Sequence, residues 1–191
     1  LLPHWTWPGR EGQVTPVHVF TSGDEAELFV NGKSQGRLKK APYAYRLRWD
    51  YVTYEPGEIS VVAYKDGKAW ARDSRTTAGA PARLDIAADR AVIAADGQDL
   101  AFVTVKALDA DGHIVPRAAL PIRFSLDGDG EIVATDNGDP TDMTPFPSPQ
   151  RKAFNGLALA IVRFRPGARG PLTLRAQTSG LPQPRLTLRN A

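Results

Sequence analysis

Residues 27–37, ELFVNGKSQGR, hold the two spacings in this chain that most suggest chemistry. Gly32-Lys33-Ser34 matches the end of a phosphate-binding loop, and Gly32 to Gly36 fits the G-x-S-x-G pattern of a hydrolase nucleophile elbow. A phosphate loop needs a second glycine five residues before its G-K-S, so that backbone N–H groups can wrap the phosphates. That position is Glu27, which would repel them. A nucleophile elbow needs a helix after the turn, whereas SQGRLKK reads as an extended segment leading to Pro42. Both motifs fail, and Asn31-Gly32 reads instead as the type I′ turn of a hairpin.

Two aspartate-rich segments have the opening of a calcium loop. In 109–120 and 127–138, aspartates stand at positions 1 and 3, but an EF-hand also needs Gly at position 6 and Glu at 12. Ile114 and Leu120 occupy those places in the first segment, and Ile132 and Gly138 in the second. These segments are expected to be Asx-stabilised turns. Asp136, Asn137 and Asp139 remain a weak candidate for a non-EF cation site, since carboxylates and loop carbonyls suit a hard cation. The other acids fall mostly in turns, where solvated side chains are the expectation. The opening LLPHWTWPGREG gathers His4, Trp5 and Trp7 without periodicity. Such a cluster can pack on a neighbouring domain, stack on the apolar face of a sugar, or pack locally. Contact with another domain is the favoured reading.

Composition limits what can surround these residues. The chain has 191 residues, 42% hydrophobic and 24% charged, which is ordinary globular composition. The net charge of +3 is spread evenly and forms no basic block, so nucleic acid is not an expected partner. There are no cysteines, which excludes disulfides, thiolate catalysis and cysteine metal sites. The longest apolar run, 157–162, is far short of the roughly 18 residues of a spanning helix, so no membrane is expected either. The start lacks an initiator Met and a leader, and the chain reads as a fragment.

The elements that must position these residues are short strands. Residues 13–77 alternate between faces, with Tyr43, Tyr45, Leu47 and Trp49 expected on one of them and a second hairpin at Asp66-Gly67. Six strands in this span predict a small sandwich. A second strand series follows 77–86, and no long helix is expected. The prediction is all-β: two immunoglobulin-like antiparallel β-sandwich domains in tandem, 1–78 with a Trp-rich leader (1–12), and 79–191. Residues 136–156 carry Pro140, Pro145, Pro147 and Pro149 and are expected to form a long loop, either functional or a plain surface excursion.

Residues 1–36 resemble the segment that follows the catalytic barrel in bacterial β-galactosidases of glycoside hydrolase family 2. That segment reads Pro-His-Trp-Asn-Trp, then Glu-Leu-Phe-hydrophobic-Asn-Gly-Lys-Ser-Leu-Gly; here Thr6 replaces the Asn and Gln35 the Leu. Residues 81–180, with PARLDIAADR, DNGDPTD and RKAFNGLALAIVR, look like the C-terminal bacterial-Ig-like domain of the same enzymes. The resemblance implies a parent that hydrolyses terminal β-D-galactosides with retention, through two barrel glutamates that precede this chain. It further implies an accessory region with no catalytic residue and no cofactor, whose partner is the barrel of the same polypeptide, in the periplasm or secreted. Two alternatives stand beside it. A carbohydrate-binding module would need Trp5/Trp7, or Trp49/Trp70 with Tyr51/Tyr54, exposed and coplanar, although Trp49 and Trp70 are expected to face the first core. The third reading is a surface adhesion or stalk module.

Overall fold

The computed structural model describes residues 3–191, and the chain divides into two compact units, Leu1–Ala78 and Gly79–Ala191. Both are all-β, and no helix occurs among the described residues.

In the first unit, β2 (Glu25–Val30), β3 (Lys33–Lys39), β5 (Glu58–Lys65) and β6 (Lys68–Thr76) form an antiparallel sheet in the order β3-β2-β5-β6. A second sheet has only β1 (Val17–Phe20) and β4 (Arg46–Trp49). Alternation drives the assembly. Ala26, Leu28 and Val30 of β2 and Ile59, Val61 and Ala63 of β5 face Val17 and Val19 of β1 and Leu47 and Trp49 of β4 in one buried cluster. Both expected hairpins form. Asn31 and Gly32 have φ of 49° and 77°, and Asp66 and Gly67 have φ of 50° and 74°, the positive pairs that a type I′ turn requires.

Two expectations in this unit fail. Tyr43 has φ 63° and sits in a turn where the Ala44 amide donates to the Ala41 carbonyl. The chain therefore rotates before β4, and the inward face of Leu47 and Trp49 does not extend back to Tyr43 and Tyr45, which are exposed. Trp70 is also exposed rather than in the core. It is the unpaired residue of a bulge on the edge strand β6, between Ala69, which pairs with Tyr64, and Ala71, which pairs with Ala63, and the facing sheet of two strands has no third strand to cover it.

The second unit stacks a four-stranded sheet on a five-stranded one. The first has the order β11-β13-β9-β7, from β7 (Arg83–Ala88), β9 (Ala101–Leu108), β11 (Gly130–Asp136) and β13 (Leu157–Phe164). The other has the order β12-β10-β14-β15-β8, from β8 (Val92–Ile93), β10 (Pro121–Asp127), β12 (Gln150–Lys152), β14 (Leu172–Gln177) and β15 (Arg185–Asn190). Phe124, Phe164, Leu172, Leu174, Leu188 and Val103 are among the fully buried side chains. Pairing is antiparallel except between β15 and β8, which run parallel through Arg189↔Val92 and Asn190↔Ile93. Neither β8 nor β12 is expected from sequence, because two and three residues are too few to show alternation. Residues 136–156 are accordingly not one loop: β12 and a further turn with positive φ at both residues, Asn155-Gly156, interrupt them.

Gly156 has φ 78°, and a Cβ there would meet the Val115 carbonyl oxygen at 2.4 Å. Gly156→Ala is expected to destabilise the chain by about 2 kcal/mol or more in urea unfolding, through backbone strain and the close approach together. Gly32→Ala, at φ 77° with nothing within 4 Å, is expected to cost only about 1 kcal/mol.

Candidate functional site

The tryptophan-bearing leader is part of the first unit. Trp5 is 4% exposed and belongs to the core cluster. Its indole meets Tyr54 edge-on with centroids 5.0 Å apart, and its Nε1–H donates to the Glu55 carbonyl at 3.0 Å. The Trp5 carbonyl accepts from the Thr77 hydroxyl. Thr6, also buried, accepts the Ala78 amide on Oγ1 at 2.9 Å, and the Trp7 amide donates to the Tyr54 hydroxyl at 3.1 Å. The buried side-chain polar groups of Trp5 and Thr6 thus have partners, which is the condition for burying them at low cost. Among the three leader residues considered from sequence, Trp5 must be corrected. Its faces are enclosed by its own unit, so it offers no stacking surface. His4 and Trp7 are partly exposed, with ring centroids 4.2 Å apart. They border a cleft of about 160 Å³ that Thr15, His18 and Arg75 also line. The Thr15 hydroxyl in that cleft is buried and has no hydrogen-bond partner among the described residues.

The aromatic platforms considered for a carbohydrate module do not assemble. Trp49 is buried and donates to the Gly36 carbonyl, and Tyr54 is buried beside Trp5, while Tyr51 and Trp70 are exposed. Trp70 donates to the Ser22 hydroxyl, and Lys65 lies 5.0 Å above its ring. In the 27–37 stretch, Ser34 donates to Glu27 at 2.6 Å across the β2–β3 hairpin. The serine of the supposed elbow is thereby engaged with the glutamate that rules out the phosphate loop.

In the second unit the proline-rich segment is wound around a guanidinium. The Arg151 side chain on β12 is 1% exposed. Its Nε donates to the Thr135 hydroxyl, Nη2 to the carbonyls of Thr135 and Pro145, and Nη1 to the Thr144 carbonyl and the Asp142 carboxylate at 3.1 Å. These five bonds use all five donors of an arginine. The candidate cation ligands face the backbone instead. Asp136 accepts from the Asn137 and Gly138 amides, Asn137 Oδ1 accepts from the Asp139 amide, and Asp139 accepts from the Thr141 amide and hydroxyl. Asn137 Nδ2 donates to Asp142 and to the Lys152 carbonyl. The positive charge that this loop surrounds is Arg151, a residue that sequence reasoning missed because nothing in QRK marks it as inward-facing.

Asp109 is the buried exception among the turn acids. Its carboxylate accepts from the Gly79, Asp111 and His113 amides, and the His113 ring lies 3.4 Å away. Burial pushes its pKa up, but the amides of Gly79 and His113 and the nearby imidazole outweigh this, and the net direction is downward. The Asp142 carboxyl is held well below the usual range by bonds from Thr144 and then from Arg151.

The chain is therefore a pair of all-β sandwich units whose embedded polar side chains serve the backbone. The comparisons with known proteins agree with that architecture. The family model described as glycoside hydrolase family 2 C-terminal domain 5 matches residues 84–187, and one described as a domain of unknown function (DUF4982) matches residues 12–71. The chain belongs to glycoside hydrolase family 2, of which it is a C-terminal region. It is 41% identical over 184 residues to the β-galactosidase BoGH2A of Bacteroides ovatus, covering 96% of this chain and 21% of that protein. It is 33% identical to a putative β-glucuronidase of Formosa agariphila, covering 87% of this chain and 16% of that one. A crystal structure of a family 2 glycosyl hydrolase from Bacteroides cellulosilyticus superposes with a TM-score of 0.95 at 30% identity, over 100% of this chain and 24% of that one. The chain thus spans about a fifth to a quarter of the relatives that it matches almost throughout.

Three outcomes are expected. Trp5→Ala should destabilise the first unit by about 3–5 kcal/mol, the range for removing a core aromatic, and Trp7→Ala by much less, as read by urea unfolding. Arg151→Met should cost about 3–5 kcal/mol in the second unit, because it breaks a buried charge network on one side only. Asp109 and Asp142 both have depressed folded pKa values, so their contribution is complete above the ordinary carboxylate pKa of about 4. It is lost as the pH falls from there toward the folded values. The melting temperature should be level between pH 7 and 5 and fall below about pH 4, and Asp142→Asn should flatten that fall.

Proposed function

We propose that this chain is the non-catalytic C-terminal accessory region of a β-galactosidase, whose parent hydrolyses terminal β-D-galactosides with retention on a separate catalytic barrel. The observation that carries this is the burial of Trp5. A leader stapled to its own sandwich through Glu55, Tyr54, Thr77 and Ala78 is a stiff connection, and it sets the spacing of a domain attached ahead of it. The His4–Trp7 ring pair beside it is the surface the leader offers to that barrel. The choice of galactoside over glucuronide rests on the 41% identity to the Bacteroides ovatus enzyme against 33% to the putative β-glucuronidase of Formosa agariphila. The parent would work in the periplasm or outside the cell.

The 191-residue chain is expected to leave chromogenic β-galactosides and β-glucuronides intact, while the whole parent cleaves the galactoside at least tenfold faster than the glucuronide. Trp5→Ala in the parent should lower its thermal inactivation temperature. Hydrolysis by the 191-residue chain alone, or a parent that prefers the glucuronide, would overturn the corresponding part of the proposal.

A further inference from the structure

The two-stranded sheet of the first unit has an outer face that none of the roles above uses. On β1 the residues opposite Val17 and Val19 are His18 and Phe20, and on β4 those opposite Leu47 and Trp49 are Arg46 and Arg48. The register places Phe20 beside Arg46 and His18 beside Arg48. The turn at Tyr43 swings Tyr45 to this same side, where its ring lies 6.0 Å from Phe20 at an interplanar angle of 26°. Rings that are nearly parallel at this distance are offset, and each keeps open surface. Phe20 is 65% exposed and Tyr45 67%. Arg46 lies over the Tyr45 ring at 5.4 Å and reaches the His18 ring at 3.2 Å. Among the described residues no carboxylate pairs with Arg46, whereas Arg48 is paired with Asp50. Lys40 brings a second cation near, its ammonium donating to the carbonyl of Thr21, the residue that follows Phe20.

We infer that this face binds a carboxylate-bearing oligosaccharide, with a sugar ring on Phe20 and Tyr45 and its carboxylate on Arg46. An exposed aromatic surface next to a guanidinium without a counter-ion suits that ligand on both counts. The C–H face of a pyranose is apolar and covers a ring, and a carboxylate accepts two parallel bonds from a guanidinium. Two rings and one guanidinium are much smaller than the roughly 800 Å² a protein partner covers, and they match one or two sugar units. The inference rests on the glycosidase reading only in choosing a glycan over another polyanion.

The test is affinity electrophoresis of the 191-residue chain in native gels containing polygalacturonate, neutral galactan or polyglutamate. Polygalacturonate should retard it, and galactan and polyglutamate should not. Phe20→Ala and Tyr45→Ala leave the charge unchanged and should each weaken binding roughly tenfold, as should Arg46→Gln. Circular dichroism checks that these surface variants fold. Absence of retardation, equal retardation by polyglutamate, or binding that survives loss of both rings would overturn the inference, the last two by tracing binding to general basicity. Binding by the isolated chain but not by the whole parent would overturn it too, by showing that the barrel covers this face. Failure here leaves the separate chromogenic assay of the parent untouched, so the two readings fall independently.

Discussion

A charged side chain buried without partners costs several kcal/mol, and the course of residues 135–151 follows from meeting that constraint at Arg151. Five donors in a rigid fork need acceptors from several directions. The chain supplies the hydroxyl and carbonyl of Thr135, the carbonyls of Thr144 and Pro145, and the carboxylate of Asp142. Once these are fixed, Asp136, Asn137 and Asp139 have short turns to close, and their oxygens accept the amides that such turns leave unpaired. A stretch with four prolines, unable to form a sheet ladder, is ordered from within by one arginine.

The first unit meets a related constraint differently. A sheet of four strands facing a sheet of two leaves part of its core to be covered by something else. Trp5 takes that place, and the hydrogen bonds of Thr6, Thr77, Tyr54 and Glu55 satisfy the polar groups that enter with it. In both units, then, an irregular segment is held by side chain to backbone bonds where strand pairing is missing. That is how a chain without a helix among its described residues, and without a cysteine, keeps long connections in place.

Much of this architecture was legible in the residues. Asn31-Gly32 and Asp66-Gly67 announced hairpins because the positive φ of a type I′ turn leaves few other choices. Alternation in β2, β5, β9 and β13 announced which faces are buried, and the family motifs announced the relationship that the comparisons bear out. What was hidden depends on distant partners. Trp5 looks like a surface aromatic until Tyr54 and Glu55 are placed beside it. Tyr45 seems to share the face of Leu47 until the turn at Tyr43 rotates it away, and Trp70 appears to alternate inward until the facing sheet proves two strands wide. Arg151 lies on a strand of three residues, too short for a pattern. Side chains whose role is set by what lies across the fold leave no periodic trace.

The measurement that bears most directly on a leader built into its sandwich is amide hydrogen exchange in the 191-residue chain, resolved at Trp7 and Ala78. The amide of Trp7 donates to the Tyr54 hydroxyl and that of Ala78 to the Thr6 hydroxyl. Both should exchange as slowly as the amides paired between β2 and β5, since opening them requires removing Trp5 from the core. Exchange at the rate of an unstructured peptide would mean that the leader is not stapled to the first unit, and would contradict the account.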